Sequence, residues 1–197
     1  MNSRIFSAFS SALVLVASVF LAGCNNSSTS EPVKTTSAVV SIEAITAGAK
    51  GFTVGSPMSA RTVYVFFDAQ CPHCSALWYA AKPLKSQAKF VWIPVGILNA
   101  ASTSQGATIL AAADPVAAME THETSMMSKG GGISATADAD AQKDAIRKNT
   151  ELMTSFGFAS IPSIVAKHAQ TGELVKQEGA MPTAALASFL GLQVPAQ

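Results

Sequence analysis

The 197-residue sequence is poor in cysteine, histidine and charged residues. It contains three cysteines and three histidines, and only 13% of its residues are charged. So few cysteines exclude a small scaffold held together by several disulfides. With 13 basic and 12 acidic residues, the chain has no excess of the basic charge that binds nucleic acid, so we expect no nucleic-acid partner.

Hydrophobic residues are concentrated at the N-terminus. Arg4 is the one charged residue among residues 1–23, and the apolar run over residues 12–22 is short for a membrane span. This pattern predicts a secretory signal peptide over residues 1–23, with an uncleaved anchor as the alternative. The Ser- and Thr-rich residues 24–37 predict a flexible tether, and residues 38–60 a short N-terminal segment.

Strand and helix patterns alternate along the rest of the chain. Apolar β-branched and aromatic runs predict strands at residues 52–55, 61–68, 90–98, 161–167 and 173–178. Helices are predicted at residues 42–49, from 71 to about 88, within 102–156 and at 182–190. This order predicts an α/β domain over residues 61–197 with a helical insertion at about 102–156.

Proline and glycine mark the interruptions of the predicted helices. Pro83 should divide the helix that begins at Cys71, because proline lacks the N–H that continues a helix. Asp114 and Pro115 suit an N-cap and a first helical position, so a new helix should begin there. The three glycines at 130–132 predict a hinge between helices, because neither a preceding strand nor a following GK[ST] supports a phosphate loop.

The segment FFDAQCPHCSALW, residues 66–78, places two cysteines at the predicted junction of a strand and a helix. A helix N-terminus presents unpaired N–H groups and partial positive charge, which stabilise a thiolate. We therefore expect Cys71 to lie exposed above the sheet with a lowered pKa, and Cys74 to be more sheltered and to act as the resolving thiol. Pro72 would stiffen the turn, and His73 would offer a donor and positive charge to Cys71.

Other interpretations of the cysteine pair fit the sequence less well. A disulfide that closes so short a loop adds little stability. Zinc would require two further ligands, and a c-type haem site would require histidine where Ser75 stands, so we expect no metal and no cofactor at the pair. Met119, His122 and Met126, with Met127 adjacent, share one helical face. They predict a methionine-rich core or groove wall or, as an alternative function, Cu(I) binding together with the cysteine pair in a metallochaperone.

The sequence VYVFFDAQCPHC, followed downstream by FASIPSIV, resembles the thioredoxin-like domain of the periplasmic Dsb proteins. Asp68 and the run from LWYAAKPL to VWIPVGIL are most similar to the DsbC and DsbG branch of disulfide isomerases. The resemblance covers residues 61–190. It implies a thioredoxin-like fold with a central mixed sheet, thiol:disulfide interchange at the CPHC residues 71–74, and a cis Ile161–Pro162 bond that faces Cys71 and binds substrate backbone.

The chain also departs from the isomerase pattern. CPHC is the tetrapeptide of DsbA, and Ile161 stands where DsbG has threonine, so the direction of electron flow stays open between oxidase, isomerase and reductase. Val65 occupies the position of the buried acid of thioredoxin and DsbA, as it does in the isomerase branch. Residues 25–60 are too few for the dimerisation domain of these isomerases, which implies a monomer.

Leu21-Ala22-Gly23-Cys24 resembles a bacterial lipobox, in which the cysteine is lipidated. The resemblance implies a protein anchored in the periplasm by lipid on Cys24, and Asn25 implies sorting to the outer membrane. The expected partners are cysteine-containing envelope proteins as substrates and a membrane redox partner of the Dsb type.

Overall fold

A five-stranded mixed sheet organises the part of the chain that the structure describes. This structure is a computed structural model that describes residues 37–195. In chain order the strands are β1 Phe52–Gly55, β2 Thr62–Asp68, β3 Lys89–Val95, β4 Ser163–Lys167 and β5 Leu174–Glu178. They lie side by side in the order β1-β3-β2-β4-β5, with β2 and β3 parallel and the other pairs antiparallel. The predicted mixed sheet is therefore confirmed, and β2 lies at its centre.

Helices connect and cover the strands. In chain order they are α1 Ile42–Gly48, α2 Pro72–Ala81, α3 Ala100–Ala111, α4 Pro115–Met127, α5 Asp140–Ser155 and α6 Thr183–Leu190. Between residues 37 and 195, no helix has both the length and the apolar character needed to cross a membrane. The predicted signal peptide, Cys24 and the predicted tether up to residue 36 lie outside the described residues.

The predicted interruptions of the helices are confirmed. Helix α2 ends at Ala81, and a 3-10 turn at Lys82–Leu84 contains Pro83. Helix α4 begins at Pro115, and the Asp114 side chain accepts hydrogen bonds from the N–H groups of Val116 and Ala117, both at 3.0 Å. These caps satisfy N–H groups that have no partner within the helix.

Strand β3 is shorter than predicted, because side chains take the backbone donors after Val95. The N–H of Gly96 donates to Thr150 Oγ1 at 3.0 Å, and the next two N–H groups donate to the Asp68 carboxylate. Helix α3 begins two residues earlier than predicted, because Asn99 and Ser102 form a capping box at its start.

Aromatic side chains from three strands and one helix form the core beneath the cysteines. Phe52 on β1 and Trp92 on β3 both contact Trp78 of α2, and Phe67 on β2 contacts Phe52 and Trp92. The Trp78 and Trp92 ring centroids are 5.0 Å apart in an edge-to-face arrangement. Such pairs contribute beyond the area that they bury, so this cluster fixes α2 against the sheet.

The predicted helical insertion packs directly on the sheet. Helices α3 and α5 contact each other and β3, and α4 contacts α2. Asn149 of α5 donates to the carbonyl of Pro94 at 2.9 Å and is itself buried. The described residues therefore form one compact unit.

Candidate active site

Strand β2 and helix α2 position the two cysteines. After β2 ends at Asp68, Ala69 and Gln70 form a turn, and Cys71 is the N-cap residue of α2. The Cys71 N–H donates to the Asp68 carbonyl at 3.0 Å, and the carbonyl of Cys71 accepts from the N–H of Cys74 at 3.0 Å. Pro72 occupies the first helical turn, where its missing N–H costs nothing. The predicted junction of strand and helix is confirmed.

Cys71 is less accessible than predicted. Only 5% of its surface is exposed, and Cys74 is completely buried, whereas Pro72 and His73 are exposed. The prediction of an exposed Cys71 sulfur was wrong because a loop from a distant part of the chain covers it. The Cys71 Sγ lies 3.8 Å from the carbonyl oxygen of Ile161.

That covering loop contains the cis Ile161–Pro162 bond that was predicted. Both residues are buried at the start of β4. The Pro162 carbonyl accepts from the N–H of Gly179 at 2.8 Å, which ties the loop to the end of β5. The Ile161 carbonyl is thereby held beside the Cys71 sulfur.

The two thiols differ strongly in acidity. Both cysteines are present as thiols. The side chain of Cys74 donates to the Cys71 sulfur and, together with the backbone N–H groups of Cys74 and His73, lowers the pKa of Cys71 to about 6 against the opposing effect of burial. Burial raises the pKa of Cys74 well above its ordinary value. The arrangement therefore supplies one nucleophilic thiolate and one protonated thiol next to it.

His73 has a smaller effect on Cys71 than the sequence suggested. Its ring is exposed, and its positive charge is the last of the named causes that lower the pKa of Cys71. The backbone N–H of His73 contributes more, and any residue other than proline at this position would supply it.

Asp68 connects the turn before Cys71 to the loop after β3. Its carboxylate is completely buried and accepts from the N–H groups of Gln70 at 2.9 Å, Ile97 at 2.8 Å and Leu98 at 3.0 Å. Buried carboxylates are stable when several donors surround them. Asp68 is therefore a structural anchor of the site, in addition to being a marker of resemblance.

Helix α4 and the glycine segment support the same turn from the other side. The His122 Nε2 donates to the Ala69 carbonyl at 2.6 Å, and its Nδ1 accepts from the Ile133 N–H at 3.2 Å. Gly132 has a φ of 88° and lies so close to the His122 ring that a side chain would not fit. The carbonyl of Gly131 accepts from Gln70, the residue before Cys71.

These contacts bear on the alternative prediction of copper binding. Both nitrogens of His122 are already used, Met119 is buried in the core, and Met127 points outward with 64% of its surface exposed. Within residues 37–195, no group of three or more histidine, cysteine or acidic residues is arranged to hold a metal ion. The geometry favours the packing role for this helical face.

Sequence reasoning missed Ser75 and Glu123. Ser75 follows Cys74 and donates to the Glu123 carboxylate, and both residues are almost completely buried. Burial raises the pKa of Glu123 to about 7. A signal was present, because Glu123 lies four residues after Met119 and three before Met126, on the face predicted to pack inward.

Comparisons with known proteins agree with this geometry. No family model matches the chain. The thiol:disulfide interchange protein DsbG of Pseudomonas aeruginosa is 36% identical over 137 residues, which are 66% of this chain and 51% of DsbG. The resemblance seen in the sequence is thus confirmed, although the chain spans about half the length of this relative.

Solved structures confirm the thioredoxin-like fold. The catalytic domain of Proteus mirabilis ScsC matches with a TM-score of 0.56 and 17% identity, over 76% of this chain and 96% of that domain. A periplasmic thioredoxin-like protein of Salmonella enterica serovar Typhimurium matches with a TM-score of 0.57 and 16% identity, over 77% and 96% of the two chains.

Proposed function

We propose that this protein is a thiol:disulfide oxidoreductase of the bacterial envelope, with Cys71 as the nucleophile and Cys74 as the resolving thiol. The observation that carries the proposal is the difference between the two thiols at the start of α2, where the pKa of Cys71 is about 6 and that of Cys74 is raised. The name of the DsbG relative, a thiol:disulfide interchange protein, supports the same class of reaction.

The reaction proceeds through two exchanges of sulfur. The Cys71 thiolate attacks one sulfur of a substrate disulfide, so that a mixed disulfide forms and a substrate thiolate leaves. Cys74 then loses its proton and attacks the Cys71 sulfur, which releases the second substrate sulfur as a thiolate and leaves a Cys71–Cys74 disulfide. Two electrons pass from the protein to the substrate. The reverse sequence oxidises a substrate dithiol. If a different thiolate of the substrate attacks the substrate sulfur of the mixed disulfide, a new substrate disulfide forms, Cys71 leaves as the thiolate, and the substrate is isomerised.

Ile161 and Pro162 would position the substrate. The Ile161 carbonyl lies beside the attacking sulfur, and an extended substrate backbone that pairs with this loop would bring its own sulfur towards Cys71. Pro72 and His73 form the exposed surface next to the thiols, so they would contact substrate from the opposite side.

The dominant direction depends on the reduction potential of the pair. A potential near about −120 mV would indicate an oxidase, and about −180 mV or lower an isomerase or reductase. The resemblance to the DsbC and DsbG branch of isomerases favours isomerisation or reduction. Oxidation follows from the DsbA-like CPHC sequence. Equilibration with glutathione, followed by quantification of both redox forms, would decide between them.

The periplasm is the proposed location. The Salmonella protein with this fold is periplasmic by name, and the predicted signal peptide over residues 1–23 would direct the chain out of the cytoplasm. We further propose lipid attachment at Cys24, sorting to the outer membrane, cysteine-containing envelope proteins as substrates, a membrane redox partner of the Dsb type, and a monomer.

Turnover assays on matched variants would test the proposed reaction. Wild-type protein should reduce insulin or reactivate scrambled ribonuclease, and Cys71→Ser should reduce the rate by roughly 1,000-fold or to background, because the nucleophile is lost. Glu151→Gln, an exposed change on α5, is the control and should retain full activity. Absence of thiol-dependent turnover together with stoichiometric Cu(I) binding would favour the metallochaperone alternative.

A further inference from the structure

One buried carboxyl group lies beside the thiols and has no part in the exchange reaction as described above. Glu123 on α4 is 1% exposed, and its Oε2 accepts a hydrogen bond from the hydroxyl of Ser75. Ser75 directly follows Cys74, and its backbone N–H donates to the Cys71 carbonyl at 3.2 Å. A single side chain therefore links Glu123 to the helical turn that carries both cysteines.

The position of Glu123 is fixed by contacts of two residues that precede it on α4. One turn earlier, Glu120 accepts from Trp78 Nε1 at 3.0 Å and pairs with Lys82. The preceding residue, His122, donates to the Ala69 carbonyl. These contacts attach α4 to α2 and to the turn before Cys71. If α4 moved the Glu123 carboxyl away from the thiols, these hydrogen bonds and the ion pair would break.

The charged groups that face Glu123 make its ionised form unfavourable. Burial is the main cause of its raised pKa, the Ser75 hydrogen bond opposes the rise, and the negative charges of Cys71 and Glu120 add to it. Lys82, in the 3-10 turn after α2, is the positive charge that acts on it, but Lys82 already pairs with Glu120. Burial lowers the pKa of His122, and Asp68 on β2 places a further negative charge near Cys74.

We propose that Glu123 is a positioning residue of the thiol–disulfide reaction, whose protonation state sets the redox balance of the Cys71–Cys74 pair. This inference rests on the proposed function. Ionised Glu123 opposes the Cys71 thiolate and thereby disfavours the reduced form. Protonated Glu123 removes that repulsion and keeps its contact with Ser75.

The proton and electron balance follows from this coupling. Reduction of the Cys71–Cys74 disulfide takes up two electrons and, above the pKa of Cys71, one proton, which goes to Cys74. The new thiolate at Cys71 also makes Glu123 bind its proton more tightly, so a further fraction of a proton enters with the electrons. Near pH 7 the wild-type protein should therefore take up between one and two protons per two electrons.

The reduction potential measured against glutathione between pH 5.5 and 8.5 would test this coupling. Glu123→Gln keeps the shape and removes the ionisation. At pH 8, where wild-type Glu123 is ionised, the variant should favour the reduced form by roughly three- to tenfold in the equilibrium constant, equivalent to half to one pKa unit. At pH 5.5 the two proteins should agree. Equal constants at both pH values, or an equal difference at both, would overturn the proposal.

Two further variants make the test specific. Ser75→Ala removes the donor that favours ionised Glu123, so the region of steep pH dependence should move to higher pH; no movement would contradict the proposal even if Glu123→Gln failed to fold. Glu151→Gln should behave as wild type at every pH. Because glutathione replaces any protein substrate, this result is independent of the insulin assay, whose failure would instead remove the proposed function.

Discussion

Two regions meet at the thiols, and they act on Cys71 in opposite directions. His73 and Cys74, at the start of α2, donate hydrogen bonds to its sulfur, which lower its pKa. Helix α4 brings the buried Glu123 carboxyl to the same turn, and the negative charges of the two groups disfavour each other. The first region acts through neighbours in sequence, whereas the second acts through Glu123, which lies 48 positions after its hydrogen-bond partner Ser75. Thiol reactivity here is thus a local property that a distant helix adjusts.

Replacing one cysteine or the other should change the accumulation of mixed disulfide in opposite ways, and this is the largest change that we expect. Cys74→Ser should accumulate a mixed disulfide between Cys71 and a substrate, because the second exchange cannot occur. Cys71→Ser should accumulate none, since its remaining thiol is buried and protonated. Non-reducing electrophoresis after incubation with a disulfide-containing protein measures both. Adducts on Cys74 in the Cys71→Ser variant would reverse the assigned roles.

A second prediction links the Cys71 pKa to stability. The pKa of Cys71 is lowered on folding, so its contribution is present above the pKa of an unfolded cysteine and is lost as pH falls through about 6. Under reducing conditions, the free energy of unfolding of wild type relative to Cys71→Ser should therefore increase by on the order of 3 kcal/mol when the pH rises from 5.5 to 9. Denaturant unfolding at several pH values measures this difference. A difference independent of pH would contradict the lowered pKa.

A third prediction concerns the anchor beneath the site. Asp68→Asn replaces one acceptor oxygen with a donor that faces backbone N–H groups, so the free energy of unfolding should fall by about 2 kcal/mol. Asp144→Asn, an exposed change on α5, is the control and should leave the free energy of unfolding nearly unchanged. An equal decrease in the free energy of unfolding in the two variants would show that the Asp68 hydrogen bonds stabilise the protein no more than an exposed ion pair does.

The smallest expected effect concerns His73. His73→Ala keeps the backbone N–H and removes only an exposed charge, so the pKa of Cys71 should rise by less than about half a unit. Ultraviolet absorbance of the thiolate during a pH titration measures the change. A rise of more than one unit would show that the His73 imidazole, and not the donors at the helix N-terminus, is the main cause of the lowered pKa of Cys71.

Local patterns predicted most of the fold. Pro83, Asp114 and Pro115 divided the helices where expected, because each acts on its own backbone or on N–H groups two or three residues away. Strand β2 and the start of α2 were predictable for the same reason. The end of β3 was not, because the Asp68 side chain takes the N–H groups of the residues that follow it.

The site was predictable only in part. The two cysteines and the cis Ile161–Pro162 bond came from a motif and a resemblance. The burial of Cys71 was missed because its cover comes from 90 residues away, and no local pattern indicates which loop will lie there. Glu123 was missed because a charged residue on an apolar helical face gives no indication of its partner.

Limited alkylation would show which cysteine is more reactive and at which pH it ionises, and so whether Cys71 is the nucleophile with the lowered pKa. Reduced protein would be treated with limiting iodoacetamide from pH 5 to 9, and the alkylated residue identified by mass spectrometry. Cys71 alone should be modified at first, with a rate that rises through a midpoint near pH 6. Alkylation of Cys74 first, or a midpoint near about 8.5, the value of an ordinary cysteine, would contradict this prediction.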